Sequence, residues 1–257
     1  MAEDTLFSYL TSLQADQPWG DVLDAGTGWS SLAWLTGVST RSLTAVTACP
    51  RRADLLRQRF SRELREVDRV VVGNWVDESL LQEEVYNVVL ADYLVGAVDR
   101  FAPYFQSRLL ERLKRHVGET LYVIGLEPYG DADSSADAGL VTRIANLRDA
   151  CLLHSQDRPH REYPRWWMVE ELERRGYRVT SSRSFPIRYG KSFVEAELDV
   201  GLAALSKVPT GLAKTLAAHE RELRREALEQ IERNGPLCWG FDYVISAKPA
   251  TGSRSKT

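Results

Sequence analysis

Cysteine is scarce. The three copies in 257 residues, Cys49, Cys151 and Cys238, stand too far apart to form a Cys-x-x-Cys pair. That excludes a disulfide framework and reads as reduced, buried thiols in a cytoplasmic protein. Long apolar runs are missing too. None reaches the roughly 18 residues that a membrane-spanning helix needs. There is no surplus of positive charge either: 33 Lys and Arg stand against 36 Asp and Glu, for a formal net charge of −3. No overall basic field therefore draws the chain to nucleic acid. The segment Met1-Ala2-Glu3-Asp4 is acidic and lacks the layout of a secretory leader. No internal repeat occurs.

What is present is an alternation of strand-like and helix-like segments, the pattern of a doubly wound α/β sheet. Hydrophobic residues make up 44% of the chain, enough for one sizeable core. Strands are expected at 19–25, 42–47, 69–72, 85–91, 120–125, 178–185 and 238–247. Helices are expected at 30–36, at 50–64 with Pro50 in its first turn, from Pro103 onward, at 140–153, and at 164–175 before Gly176. A long helical stretch over 192–234 is broken at Pro209. The expectation is one domain over 1–257, with insertions at 127–163 and 192–234 and a flexible tail at 249–257. Leu212, Leu216, Leu223, Ala227 and Ile231 form an apolar stripe along the second insertion. Packing on the domain is its default use, and covering the pocket or pairing with a second copy of the chain are the others.

The most informative stretch is Val22-Leu23-Asp24-Ala25-Gly26-Thr27-Gly28-Trp29-Ser30-Ser31. It reads as a strand, an acid at the strand's end, a glycine-rich turn and a helix start. Glycine has no side chain, so a ligand can approach Gly26 and Gly28 closely, and Ser30 is a natural cap for the helix. A dinucleotide site wants a third glycine where Ser31 stands, and Asp24 would repel its phosphates. A triphosphate loop wants a Lys that does not follow. An ammonium group, by contrast, suits an acid before the glycines.

In the form Asp-Ala-Gly-Thr-Gly this stretch resembles motif I of the class I, Rossmann-like S-adenosylmethionine (SAM)-dependent methyltransferases. The resemblance covers 19–125 by motif and the later strands by layout. It implies a seven-stranded, mostly parallel sheet with an antiparallel last strand, SAM as cofactor, and methyl transfer to an O, N or S atom of a small molecule. Ligands in such folds lie beyond the carboxyl ends of the strands. The cofactor residues so implied are Asp24, Gly26, Thr27, Gly28, Ser30, Thr47, Asn74, Trp75, Asp92 and Tyr93. Thr47 stands where the family carries a ribose-binding acid. Asn74 is to meet adenine, and Trp75 is to stack on it or to pack under a plain turn. No Asn-Pro-Pro-Tyr motif follows strand four, which speaks against base-amine and glutamine acceptors.

The acceptor side is expected from Glu127, Tyr129, Arg148, Arg161 and Tyr163. Residues 143–165 hold five Arg against three acids in a net acidic chain. Such a wall suits an acceptor bearing a carboxylate. Asp92, Tyr129, His154 and His160 are the candidate bases. The loose spacing of His154, Asp157 and His160 argues against a metal. Two other readings stay open: an NAD(P)-dependent oxidoreductase, and a non-catalytic binding module built on the same fold.

Overall fold

β-Branched runs make the centre of the sheet. In the computed structural model, which describes residues 5–129 and 135–250, the strands are β1 (Asp21–Asp24), β2 (Ser42–Thr47), β3 (Arg69–Val72), β4 (Tyr86–Asp92), β5 (Val117–Leu126), β6 (Tyr177–Tyr189) and β7 (Leu237–Pro249). Their order is β3-β2-β1-β4-β5-β7-β6. Six strands run parallel and β7 runs against them. β1 pairs with β2 on one side and β4 on the other, so the order reverses at β1. That reversal is where open α/β sheets leave a crevice for ligands. Val22, Leu23, Val88 and Val89 have no exposed surface, as expected of strands covered on both faces.

Nine α-helices occur among the described residues: α1 (Leu6–Gln14), α2 (Trp29–Leu35), α3 (Pro50–Arg59), α4 (Leu94–Phe101), α5 (Gln106–Lys114), α6 (Ala136–His154), α7 (Arg165–Arg174), α8 (Lys191–Ala204) and α9 (Thr210–Asn234). Among these residues no helix is long and apolar enough to cross a membrane. Four helices differ from the sequence expectation. α1 was not expected; Thr5 caps it by accepting from the Ser8 amide. α4 takes a segment to which the sequence pattern assigns no element. The helix expected from Pro103 begins at Gln106, because Tyr104 adopts φ of +64°, which a helix does not allow. α3 stops at Arg59, five residues short of expectation, where turns at Phe60 and Arg65–Asp68 lead into β3.

The chain divides into two compact units. The first comprises 1–126, 161–184 and 243–257. Its core joins Leu23, Val89, Leu109, Leu121, Val123, Met168, Leu172 and Ile245. The second comprises 127–160 and 185–242, where α6, α8 and α9 pack around Val141, Ile144, Val194, Leu198, Leu223 and Ala227. The expected insertions fall largely in this second unit. The expected tail begins too early, because β7 continues to Pro249 and Ala250 still donates to the Gly176 carbonyl. Residues 251–257 lie outside the described part, as do 1–4 and 130–134 of the loop before α6.

Candidate functional site

The turn after β1 is clamped from both sides. The Ala25 amide donates to Leu90 in β4 and the Thr27 amide donates to Val46 in β2, each at 2.8 Å. Asp24 ends β1 with no exposed surface, and neither carboxylate oxygen has a hydrogen-bond partner. Burial pushes its pKa up to about 6, opposed by the Ser31 and Thr27 hydroxyls and the Gly26 amide, which favour the ionised form. Three residues on, the buried Thr27 hydroxyl also lacks a partner. Two orphan polar groups in one turn are costly unless a ligand completes them.

The two glycines of the turn do different jobs. A Cβ built on Gly28 would meet nothing within 4 Å, so this residue faces open space. One on Gly26 would lie 2.8 Å from Leu94 Cδ1. Gly26 is therefore required for packing against α4, since Leu94 takes the space on its side-chain face. Ser30 is corrected as well: it is exposed and caps nothing, whereas the buried Ser31 hydroxyl accepts from the Gly28 amide at 3.0 Å.

The ends of β2 and β3 offer less than the motif implies. Thr47 is buried, and its hydroxyl accepts from the Cys49 amide at 3.3 Å. Asn74 spends both ends of its amide: Nδ2 donates to the Phe101 carbonyl at 2.9 Å and Oδ1 accepts from the Val76 amide. Trp75 is not an adenine platform. It is 3% exposed, and its indole N–H donates to the Ala25 carbonyl at 2.7 Å. Its role is to hold the turn from beneath.

At the end of β4, Asp92 and Tyr93 are half-buried. Tyr93 has φ of +48°, a left-handed conformation that costs a non-glycine residue about 1–2 kcal/mol. Such strain concentrates at ligand sites. The next helix, α4, joins this point to two other parts of the first unit. Leu94 covers Gly26, and the Gly96 carbonyl accepts from the Arg161 amide at 3.1 Å. Arg161 is exposed, with its guanidinium 5.7 Å from the Tyr104 ring centre. The Tyr163 ring lies 4.2 Å from that of Trp167, and its carbonyl accepts from the Tyr243 hydroxyl. The fold thus gathers the glycine turn, Asp92, Tyr93, Arg161 and Tyr163 around α4.

The remaining expected residues belong to the second unit. Glu127 is half-buried, with its amide donating to the Phe241 carbonyl. Tyr129 shares a 2.5 Å hydrogen bond with Tyr189, and burial pushes its pKa up to about 12, too high for a base near neutral pH. Arg148 does not await a substrate carboxylate, because its guanidinium is already held by Asp149 and Glu197. His154 and His160 are exposed at the surface of this unit, without the enclosure a catalytic base needs. No cluster of three potential metal ligands occurs among the described residues.

Sequence reasoning missed Ser31, Leu94 and Glu162. The capping role of Ser31, three residues after Gly28, was legible as half of a capping box. Leu94 and Glu162 carried no local signal, since they meet Gly26 and Gly96 only in the folded chain.

No family model matches the sequence, and no curated protein does. Solved structures do resemble this one. A candidate methyltransferase from Bacillus halodurans C-125 aligns with a TM-score of 0.63 at 14% identity, over 95% of this chain and 99% of that one. The mycolic acid cyclopropane synthase CmaA1, in complex with SAH and CTAB, aligns with a TM-score of 0.55 at 15% identity, over 93% and 81% of the two chains. The [4+2]-cyclase SpnF aligns at 0.54 and 12% identity, over 95% and 81%. The chain has the class I methyltransferase fold.

Proposed function

We propose that this protein is a SAM-dependent methyltransferase acting on a small molecule that carries a carboxylate. Asp24 carries the reading: a fully buried carboxylate without a partner, beside the orphan Thr27 hydroxyl and the open face of Gly28. An ammonium group completes this carboxylate, and an amino-acid carboxylate can take the Thr27 hydroxyl. A pyrophosphate would meet Asp24 as a like charge, which disfavours an NAD(P) cofactor. The structure of CmaA1 with SAH places that cofactor product in a protein of the same fold.

These residues fit the methionine end of SAM. Asp24 would hold the ammonium, and Thr27 and Gly28 would flank it. Thr47 would meet the ribose with one hydroxyl in place of a carboxylate. When bound, SAM supplies a methyl group on a sulfonium centre that leaves as a neutral thioether. The chain's own contribution is alignment and exclusion of water, worth about 7–11 kcal/mol of barrier in well-oriented reactions. Tyr93 and Asp92 stand at the end of β4, where the acceptor would be aligned, and Asp92 is the base candidate that the first unit retains. Arg161 is the cation for an acceptor carboxylate.

Calorimetry with S-adenosylhomocysteine tests this directly. The parent chain should bind it and Asp24→Asn should not. Absence of binding by the parent, or binding that survives the substitution, overturns the assignment, and an NADH titration in parallel examines the oxidoreductase reading. Mass spectrometry of ligands that co-purify with the chain would identify the acceptor.

A further inference from the structure

The first unit has a second polar cavity, of about 280 Å³. It is lined in part by Glu119, Thr120 and Tyr122, from the first half of β5. β5 is parallel to β4, so this cavity lies toward the amino ends of the strands, away from the glycine turn.

Two cations face each other on its wall. The Thr180 hydroxyl donates to the Ser246 carbonyl at 3.1 Å, and the Ala250 amide donates to the Gly176 carbonyl at 2.8 Å. Between these two bridges β6 presents Arg178 and β7 presents Lys248, and both line the cavity. Like charges opposed across a strand pair are unfavourable, and sheets ordinarily set an acid there. Neither cation has a carboxylate partner among the described residues. Glu119 shares the lining, but its Oε1 accepts from Asn87 Nδ2 at 2.6 Å.

The cavity also holds uncommitted hydroxyls. Thr120 is 6% exposed, and its hydroxyl makes no hydrogen bond among the described residues. Ser246 is 5% exposed; the single Thr180 hydroxyl hydrogen is shared between its Oγ at 3.0 Å and its carbonyl, and its own hydroxyl hydrogen has no acceptor among the described residues. The neighbouring Tyr122 hydroxyl is spent on Gln14 Oε1. A planar guanidinium, an ammonium and two free hydroxyl donors match an anion with two charges and several acceptor oxygens. A monocarboxylate would leave one cation uncompensated.

We propose that this cavity binds a small phosphomonoester, with Arg178 and Lys248 neutralising the phosphate and Thr120 and Ser246 donating to its oxygens. The site is separate from the proposed cofactor turn and does not depend on that reading.

Inorganic phosphate is the probe, titrated at constant ionic strength against chloride and followed by thermal melting and calorimetry. The parent should show a saturable rise in Tm. Arg178→Gln combined with Lys248→Gln should abolish that rise, and in chloride alone it should melt no lower than the parent, because the opposed charges are gone. Thr120→Val, which keeps the shape of the side chain, should weaken phosphate about tenfold. Binding of S-adenosylhomocysteine should be the same in all three. No saturable effect in the parent, or an equal effect in the double variant, overturns the proposal. Should the double variant fail to fold, unchanged phosphate affinity in Thr120→Val overturns it alone.

Discussion

Leu94 fills the space in front of Gly26, so closely that a methyl group on Gly26 would come within 2.8 Å of its Cδ1. The contact ties the turn after β1 to the helix after β4, and it separates the roles of two glycines that look equivalent in the sequence. Gly26→Ala should cost about 1–3 kcal/mol of stability through overpacking. Adding Leu94→Ala should return part of that loss. Gly28→Ala should fold as the parent does, since Gly28 has φ of −123° and no neighbour at the Cβ position. It should nevertheless weaken S-adenosylhomocysteine. Denaturant melts and calorimetry on the same variants separate the two effects.

Asp24 should make stability depend on pH with a definite sign. Its carboxyl ionises near 3.8 in the unfolded chain and near 6 in the folded one, so the folded chain holds the proton longer. The contribution of Asp24 to stability is therefore greatest below pH 4, falls as pH rises to about 6, and is level above that. The difference is worth roughly 3 kcal/mol. Asp24→Asn should remove this slope and melt higher than the parent at pH 7. Affinity for S-adenosylhomocysteine should move the other way, rising with pH up to about 6 in the parent.

Trp75 should behave as a structural residue. Trp75→Phe loses the bond to the Ala25 carbonyl and should destabilise the chain by about 1–3 kcal/mol. Measured below the melting range, its affinity for S-adenosylhomocysteine should match the parent's. A selective loss of affinity with unchanged stability would return Trp75 to the adenine site.

The two arginines expected to bind substrate should also part ways. Arg148→Met strips Glu197 and Asp149 of their cation and should cost about 1–2 kcal/mol of stability. Arg161→Met, on an exposed side chain, should leave stability alone and weaken a carboxylate-bearing acceptor. Melting curves and acceptor titrations read the two outcomes.

Much of the fold is legible along the chain. Val88-Val89-Leu90-Ala91 can only be a strand buried on both faces, and Pro50 and Gly176 punctuate helices by their own backbone restrictions. α4 was not legible, because Leu94–Phe101 follows β4 without a turn signal and its start rests on the strained Tyr93. Among the site residues, Asp24 was readable because the position of an acid before a glycine turn is a local feature. Trp75 was ambiguous, since a Trp after a strand looks the same whether it faces a ligand or the core.

The sequence by itself determined the alternating α/β architecture and the acid and glycines of the first turn, because periodicity, turn chemistry and charge act between near neighbours. The tertiary structure alone decided which polar groups remain free. Arg148 and Asn74 are spent on partners, while among the described residues Asp24, Thr27, Arg178 and Lys248 are not. The reason is physical: whether a charge or hydroxyl is available depends on what the fold brings within about 3 Å of it, and that distance is closed by packing.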